Sequence, residues 1–307
     1  MFGVLNIYKP CGITSHDVVG IIRKILKIKQ VGHTGTLDPF AQGVLPVCVG
    51  KATRLIEYFD DEKEYVATVQ FGASTTTYDI EGEINRKSDL KISKEDVLKG
   101  LEVFRGEIEQ NPPIFSAIKV NGKKLYEYAR NNEEVIIPPR KVVISKLELL
   151  SFDAQNQTAQ IIIECSKGTY IRSIANDLGE NLGCFAHLTK LVRTRAGKFA
   201  VENAINLPVS FSQSSGEGKL LKFEINEGAS EFLTSNLINP AQVISFPKIE
   251  LDEKMLRLVQ TGSPLKHFTG DIKNIKKDYF LILLYNGEVK AVGQFDGCVI
   301  KVRKVFV

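Results

Sequence analysis

The sequence predicts an α+β fold: a body built on a mixed or antiparallel sheet, followed by a small β-rich C-terminal domain. Three observations carry that expectation. Segments with strand period and segments with helix period are interspersed without a strict strand–helix–strand rhythm. Near the end, "YFLILLYNGEVKAVGQFDG" reads as a hairpin turning at Asn286-Gly287, and "CVIKVRKVFV" follows as another strand. The length of 307 residues exceeds one average domain, and no internal repeat divides it.

In chain order, "GVLNIYKP" is a strand ended by Pro10. "TSHDVVGIIRKILKIK" is a helix: Thr14 or Ser15 can cap it, Val18, Ile22, Ile25 and Ile28 share a face, and the last turn is basic. "KATRLIEYF" reads as a short helix and "EYVATVQFG" alternates as a strand. "SKEDVLKGLEVF" is a helix with Ser93 and Asp96 at capping-box spacing. "NPPIFSAIKVNGKKLY", with two prolines and an Asn-Gly signal, is extended chain that turns back, and "NNEEVIIPPRK" continues as a long exposed loop. "TAQIIIECS" is a buried strand, and "YIRSIANDLGENLG" a helix closed by glycine. Residues 210–236, rich in Ser, Gly and Glu, predict loosened packing, and Asn239-Pro240 marks a boundary. The expected domains are 1–236 and 237–307, with an exposed loop near 119–146 whose basic residues suit contact with a nucleic acid.

Composition is that of an ordinary folded protein. No apolar run approaches the length of a membrane span, and "MFGVLNIYKP" lacks the order of a signal peptide, so a cytoplasmic protein without membrane contact is expected. The five cysteines are scattered and odd in number, with no CxxC, which argues against a disulfide framework or a zinc site. The four histidines are far apart, and no phosphate-binding or dinucleotide-binding glycine motif is present, so neither metal nor cofactor is expected.

Net charge is +4, and residues from Ala241 onward, with 11 Lys+Arg against 7 Asp+Glu, carry the whole excess. "HLTKLVRTRAGK" (187–198) and "KVNGKKLYEYARNNEEVIIPPRK" (119–141) are two further basic stretches. One such patch reads as a solvated face; three on a near-neutral body point to a polyanion, RNA or DNA.

"GHTGTLDPFAQGVLP" (32–46) has neither helical nor strand period, and its glycines and prolines make it a loop between two apolar segments. Asp before Pro opens many plain turns, so the loop is either a surface turn or a rigid mount for Asp38. Two other stretches could supply partners. "KEYVATV" places Tyr65 early in a strand, and "SKGTYIRSIANDLG" places Tyr170 and Arg172 where a strand turns into a helix at Gly168. Taken singly, each tyrosine is equally a core aromatic with a wet hydroxyl, and Arg172 equally a surface residue.

Together, "GHTGTLDPFAQGVLP", "KEYVATVQFG" and "CSKGTYIRSIANDLGENLG" closely resemble the bacterial TruB family, the tRNA pseudouridine-55 synthases. "GVLNIYKPCGITSHDVV" and "TTTYDIEGEI" (75–84) match that family's remaining motifs, and the C-terminal segment is similar to its PUA domain, a β-rich RNA-binding module. "LVRTRAGKF" fits more loosely, with Val192-Arg193 where the family often has two arginines.

The resemblance implies a reaction: uridine in the T loop of tRNA is cut from its sugar, turned, and rejoined through C5, with no oxidation and no energy carrier. It implies that Asp38 is the catalytic aspartate, Arg172 the arginine paired with it, and Tyr65 the tyrosine that stacks on the target base. Tyr170 and Leu191 correspond to further pocket residues, Lys9 and Pro10 to the motif beside the pocket, and His33 to a histidine filling the space left by extruded nucleotides. A monomer needing only the tRNA T-arm as partner is the expected form. The contrasting expectation, from another class, is a non-catalytic tRNA-binding protein or folding chaperone; a phosphate-directed hydrolase is weaker, since one aspartate without a second acidic cluster makes a poor metal site.

Overall fold

The computed structural model of the chain describes residues 1–306 apart from 117, 132, 213–221 and 267–274. β1 (Phe2–Lys9) is largely buried and stops where Pro10 removes an amide donor. α1 (Ser15–Leu26) is capped by Thr14, which exchanges hydrogen bonds with Asp17. Lys27 ends the helix with a left-handed φ of 54°, so Ile28 lies outside the helix predicted to include it, yet it packs against the same core as Val18, Ile22 and Ile25. β2 (Val31–His33) and β3 (Gln42–Gly50) flank the aspartate loop. Lys51–Tyr58 forms a 3₁₀ helix where a short helix was expected. In β4 (Lys63–Phe71) alternate residues Tyr65, Ala67, Val69 and Phe71 are buried.

β5 (Ala73–Thr75) and β6 (Ile84–Lys87) pair as a side ribbon. α2 (Lys94–Leu101) carries the predicted Ser93–Asp96 capping box, and β7 (Gly106–Gln110) follows. Asn121 and Gly122, both at positive φ, turn the short hairpin of β8 (Lys119–Val120) and β9 (Lys123–Lys124). After α3 (Leu125–Arg130) the described residues 131 and 133–139 form no helix or strand, and β10 (Arg140–Asp153) follows, a long strand that the sequence did not announce and whose start overlaps the loop expected near 119–146. β11 (Thr158–Cys165), α4 (Ile171–Asn181), β12 (Ala186–Ala196), β13 (Phe199–Ala200) and β14 (Ile205–Asn206) complete the body.

The main sheet runs β14-β1-β3-β12-β4-β11-β10-β7, with β2 added to β3 and β13 to β12. Two pairings are parallel, β1 with β14 and β3 with β12; the others are antiparallel, so the sheet is mixed. α1 and α4 share one apolar core with its central strands through Val18, Ile22, Ile174 and Leu178.

The described residues of 210–236 are mostly exposed, as loosened packing predicts, but they carry regular structure and two core contacts. β15 (Val209–Ser212) pairs with β16 (Lys222–Ile225), and α5 (Ala229–Ser235) sends Ala229 and Leu233 into the main core. Residues 213–221 of that expectation lie outside the described residues.

Asn239 caps α6 (Pro240–Val243), with Pro240 in the first turn, where its missing amide hydrogen is harmless. β17 (Lys248–Glu250), α7 (Glu253–Gln260), β18 (Phe280–Tyr285), β19 (Glu288–Phe295) and β20 (Ile300–Val305) form a second region whose four-stranded sheet has its own apolar cluster. Asn286 and Gly287 turn the predicted hairpin at φ 53° and 72°. A further cluster joins Ile244, Ile282 and Val292 of this region to Leu55 and Tyr58 of the 3₁₀ helix.

Candidate active site

The loop between β2 and β3 has no ladder to satisfy its backbone, yet every carbonyl from Gly35 to Phe40 meets a donor. Arg193 Nη2 reaches Gly35 O at 3.0 Å and Nη1 reaches Thr36 O at 3.4 Å. Ser15 Oγ donates to Leu37 O at 3.1 Å and accepts from Leu37 N at 2.8 Å. Ala41 N closes on Asp38 O at 3.1 Å, Gly12 N on Pro39 O at 2.8 Å, and Cys11 Sγ on Phe40 O at 3.1 Å. Leu37, Phe40 and Ala41 are buried in the core. A buried carbonyl left alone would be costly, so these contacts leave the loop one conformation. The loop is a rigid mount rather than a plain surface turn.

Asp38 is what the mount presents. Its Oδ2 lies 2.9 Å from Arg172 Nε; the side chain of Arg172 is 6% exposed and that of Asp38 35%. The Nε–H is not aimed along the contact, so charge rather than an aligned hydrogen bond holds the pair. Arg172 enters from the first turn of α4 and is fixed by Nη1 on Thr77 O at 3.0 Å and Nη2 on Phe115 O at 3.1 Å. The same Nη1 is 3.4 Å from Asp79 Oδ2, a buried carboxylate that also accepts from Thr77 Oγ1 at 2.5 Å and Glu81 N at 3.0 Å. One buried cation therefore serves two carboxylates, of which only Asp38 faces an opening.

Asp38 has protein on most sides, so burial is the largest influence on it and holds its carboxyl above the usual aspartate value. Arg172 opposes that shift, Asp79 adds to it, and Lys9 opposes it.

Lys9 is fully buried, and its ammonium donates to Pro10 O at 2.9 Å, Ile13 O at 2.6 Å and Pro39 O at 3.3 Å. Burial pushes it down to about 8. Lys9 thus braces the loop from behind, tying Pro39 to the carbonyls of Pro10 and Ile13.

Tyr65, 7% exposed, stands in the core cluster with Leu191 and Leu37. Burial raises its hydroxyl, the Arg193 cation opposes this, and the charge of Asp38 adds to it. Tyr170 caps α4 through its backbone, where Gln110 Oε1 accepts from Tyr170 N at 2.7 Å and Gln110 Nε2 donates to Tyr170 O at 2.9 Å. Its hydroxyl too is raised, by burial first and by Asp38 among other causes. Asp38, Arg172, Tyr65, Tyr170 and Lys9 are therefore one electrostatic neighbourhood.

His33 is set apart at the end of β2, edge-on to His16 with ring centroids 5.6 Å apart. Burial, then His16 and Arg193, push it down to about 4, so the ring is neutral at ordinary pH.

Sequence reasoning missed three contributors: Asp79, Ser15 and Arg193. "TTTYDIEGEI" was singled out without a role for Asp79, and Ser15 was read only as a capping candidate. Arg193 was counted in a basic surface patch, but it is fully buried, and Arg195 beside it pairs with Glu164 at 2.8 Å. That patch shrinks to Lys190 and Lys198. In the 119–141 stretch, Lys123 pairs with Glu133 at 2.6 Å and Lys141 with Glu107 at 2.9 Å. Among the described residues no cluster of three or more His, Cys, Asp or Glu could hold a metal ion, and no helix is long and apolar enough to cross a membrane.

Comparison with known proteins defines the class. Residues 23–171 match the TruB family pseudouridylate synthase N-terminal domain, and residues 172–208 the tRNA pseudouridylate synthase B C-terminal domain. The tRNA pseudouridine synthase B of Carboxydothermus hydrogenoformans is 42% identical over 313 aligned positions, covering 100% of this chain and 99% of that one. The protein of the same name from Caldanaerobacter subterraneus is 41% identical over 99% of both chains. Among solved structures, a Cbf5-Nop10-Gar1 complex contains a chain matched with a TM-score of 0.71 at 26% identity, covering 100% of this chain and 85% of that one. The fold is thus that of a pseudouridine synthase, an isomerase. Within that class, the chain belongs to the TruB family.

Proposed function

We propose that this protein isomerises uridine 55 in the T loop of tRNA to pseudouridine, with Asp38 as the catalytic group. The observation that carries the proposal is the partly exposed carboxylate of Asp38, held 2.9 Å from a buried arginine on a fully braced loop. The full-length similarity to tRNA pseudouridine synthase B supports the substrate. A protein that only binds tRNA gains nothing from a partly desolvated carboxylate facing a polyanion.

The target lies inside a folded RNA loop and must be flipped out. Neutral His33 suits the space left in that loop, since an aromatic ring stacks on bases without sequence preference. At the sugar, the bond from N1 to C1′ breaks and a bond from C5 to C1′ forms. A proton leaves C5 and N1 gains one, so nothing is oxidised. Departure of the base builds positive charge on the sugar, and ionised Asp38 opposes that charge. Arg172 keeps Asp38 ionised and fixes its rotamer. Tyr65 and Tyr170 line the base pocket, and the Tyr65 hydroxyl, protonated in its buried site, acts as a relay that gives its own proton to solvent as it accepts the one from C5.

Residues 1–236 act as the catalytic domain and 237–307 as a PUA-like RNA-binding domain whose basic excess contacts tRNA away from the reacting loop. Incubation of the purified protein with an unmodified tRNA transcript, without metal or cofactor, followed by pseudouridine mapping, tests this. Conversion at position 55 is expected; conversion only elsewhere, or none, contradicts it.

A further inference from the structure

Arg193 is buried completely, and none of its partners is a carboxylate. A buried cation without a counter-ion is expensive and calls for a reason. Its guanidinium is solvated instead by backbone: Nε donates to Val44 O at 2.6 Å, Nη2 to Gly35 O at 3.0 Å and Nη1 to Thr36 O at 3.4 Å. Two of those carbonyls belong to the aspartate loop and the third to the strand leaving it. A planar group with five donors can span such a set; an ammonium, a single point of charge, cannot.

The backbone of Arg193 is fixed as firmly as its side chain. It pairs with Gly43 of β3 on one side and with Tyr65 of β4 on the other. A Cβ on Gly43 would stand 2.3 Å from Arg193 O, so only glycine allows this close approach. Residues directly opposite across a ladder leave the same face of a sheet, so Arg193 and Tyr65 project together. The Arg193 cation also opposes the upward push of burial on the Tyr65 hydroxyl. One side chain thus touches the loop of Asp38 and faces Tyr65, while Arg172 holds Asp38 from α4.

We infer that Arg193 is a positioning residue of this active site, holding the loop of Asp38 and the ring of Tyr65 in one fixed relation. The inference rests on the reading of Asp38 as the catalytic group. Displacement of a reacting group by about 1 Å costs on the order of 100-fold in rate, so loosening this brace should act on turnover and not on RNA affinity.

The test uses the full chain with an unmodified tRNA transcript. Single-turnover rate at saturating enzyme, tRNA affinity and thermal midpoint are measured for wild type, Arg193→Lys, Arg193→Met and Asp38→Asn. Arg193→Met should fold, because apolar replacement of a buried charge is often neutral for stability. It should bind tRNA within about threefold of wild type and lose about 100-fold in rate. Arg193→Lys keeps the charge and can still reach one of the three carbonyls, so its rate should fall about tenfold. Arg193→Met turning over within threefold of wild type would overturn the inference. So would rate losses that follow the loss of folded protein, or failure of both variants to fold, since each would make Arg193 an ordinary structural residue. Asp38→Asn separates the two readings: activity in that variant refutes the catalytic role of Asp38, whereas an inactive Asp38→Asn beside an active Arg193→Met refutes the positioning role alone.

Discussion

Arg172 Nε stands 2.9 Å from Asp38 Oδ2, and the guanidinium that makes this contact is itself pinned to the carbonyls of Thr77 and Phe115. The pair joins a partly open carboxylate to a buried cation that has no freedom to follow it away. Asp79, 3.4 Å from Nη1 of the same guanidinium, is a second negative charge within reach. Removing the cation would leave two carboxylates facing each other, and like charges disfavour ionisation.

Arg172→Met should therefore raise the Asp38 carboxyl further. The acid limb of kcat/KM is expected to move to higher pH by a unit or more, with a fall of at least about 100-fold near neutrality. Arg172→Lys should lie between the two, keeping charge but losing the carbonyl anchors. A pH–rate profile for the three proteins checks this, and an unshifted acid limb in Arg172→Met would show that Arg172 does not control Asp38.

Tyr65→Phe keeps the ring and removes the hydroxyl beside Arg193. Affinity for tRNA should stay within about threefold while turnover falls by roughly 100-fold or more, the usual range for losing an acid–base group. Single-turnover kinetics decide: a Phe variant as fast as wild type would leave the ring only a packing or stacking role.

Lys9 gives a stability prediction with a defined window. Burial pushes its ammonium down to about 8, whereas an unfolded chain holds the proton until about 10.4. Between those values the unfolded state binds more protons, so Lys9 makes stability rise with pH. In urea unfolding of wild type and Lys9→Met, the wild type should gain on the variant across that window and not below it. Parallel curves would contradict the downward push of burial on Lys9.

The C-terminal region packs on Leu55 and Tyr58, so cutting it away would expose core and confuse binding with folding. Neutralising the exposed Lys248, Lys254, Lys276 and Lys277 with Gln is the cleaner probe. Affinity for whole tRNA should fall and the slope of log affinity on log salt should become shallower, by about 0.7–0.9 for each phosphate these lysines neutralise. Turnover of an isolated T-arm hairpin at saturation should be unchanged. An unaltered salt slope would show that these charges do not meet the RNA.

Much of this was legible in the sequence, for identifiable reasons. The aspartate loop announced itself because Gly32, Gly35, Pro39 and Asp38 break any period between two apolar segments. The hairpins at Asn121-Gly122 and Asn286-Gly287 were marked by residues that tolerate positive φ. β12 was hidden because register shifts between Leu188 and Lys190 and between Arg193 and Arg195 leave its buried positions at 186–188, 191, 193 and 196, which no alternation finds. Arg193 was misplaced for the same reason: without the strand, a basic residue among basic residues reads as surface. Asp79 could not be assigned because its partner Arg172 is distant in sequence and the contact exists only in the fold. Ser15 looked like a cap because Thr14 and Ser15 are adjacent candidates, and only packing shows that Thr14 caps while Ser15 braces Leu37.

The central claim is that the charge of Asp38 makes the chemistry possible. Burial raises its carboxyl in the folded protein, so the proton is held more tightly folded than unfolded, and the ionised form costs stability at neutral pH. Asp38→Asn should therefore match or exceed the wild-type thermal midpoint near neutrality, which establishes that any defect is chemical. The deciding measurement is the single-turnover yield of pseudouridine at position 55 of an unmodified tRNA transcript with saturating Asp38→Asn protein. The account predicts bound tRNA and no pseudouridine. A rate within about tenfold of wild type, a barrier change of only about 1.4 kcal/mol, would contradict it.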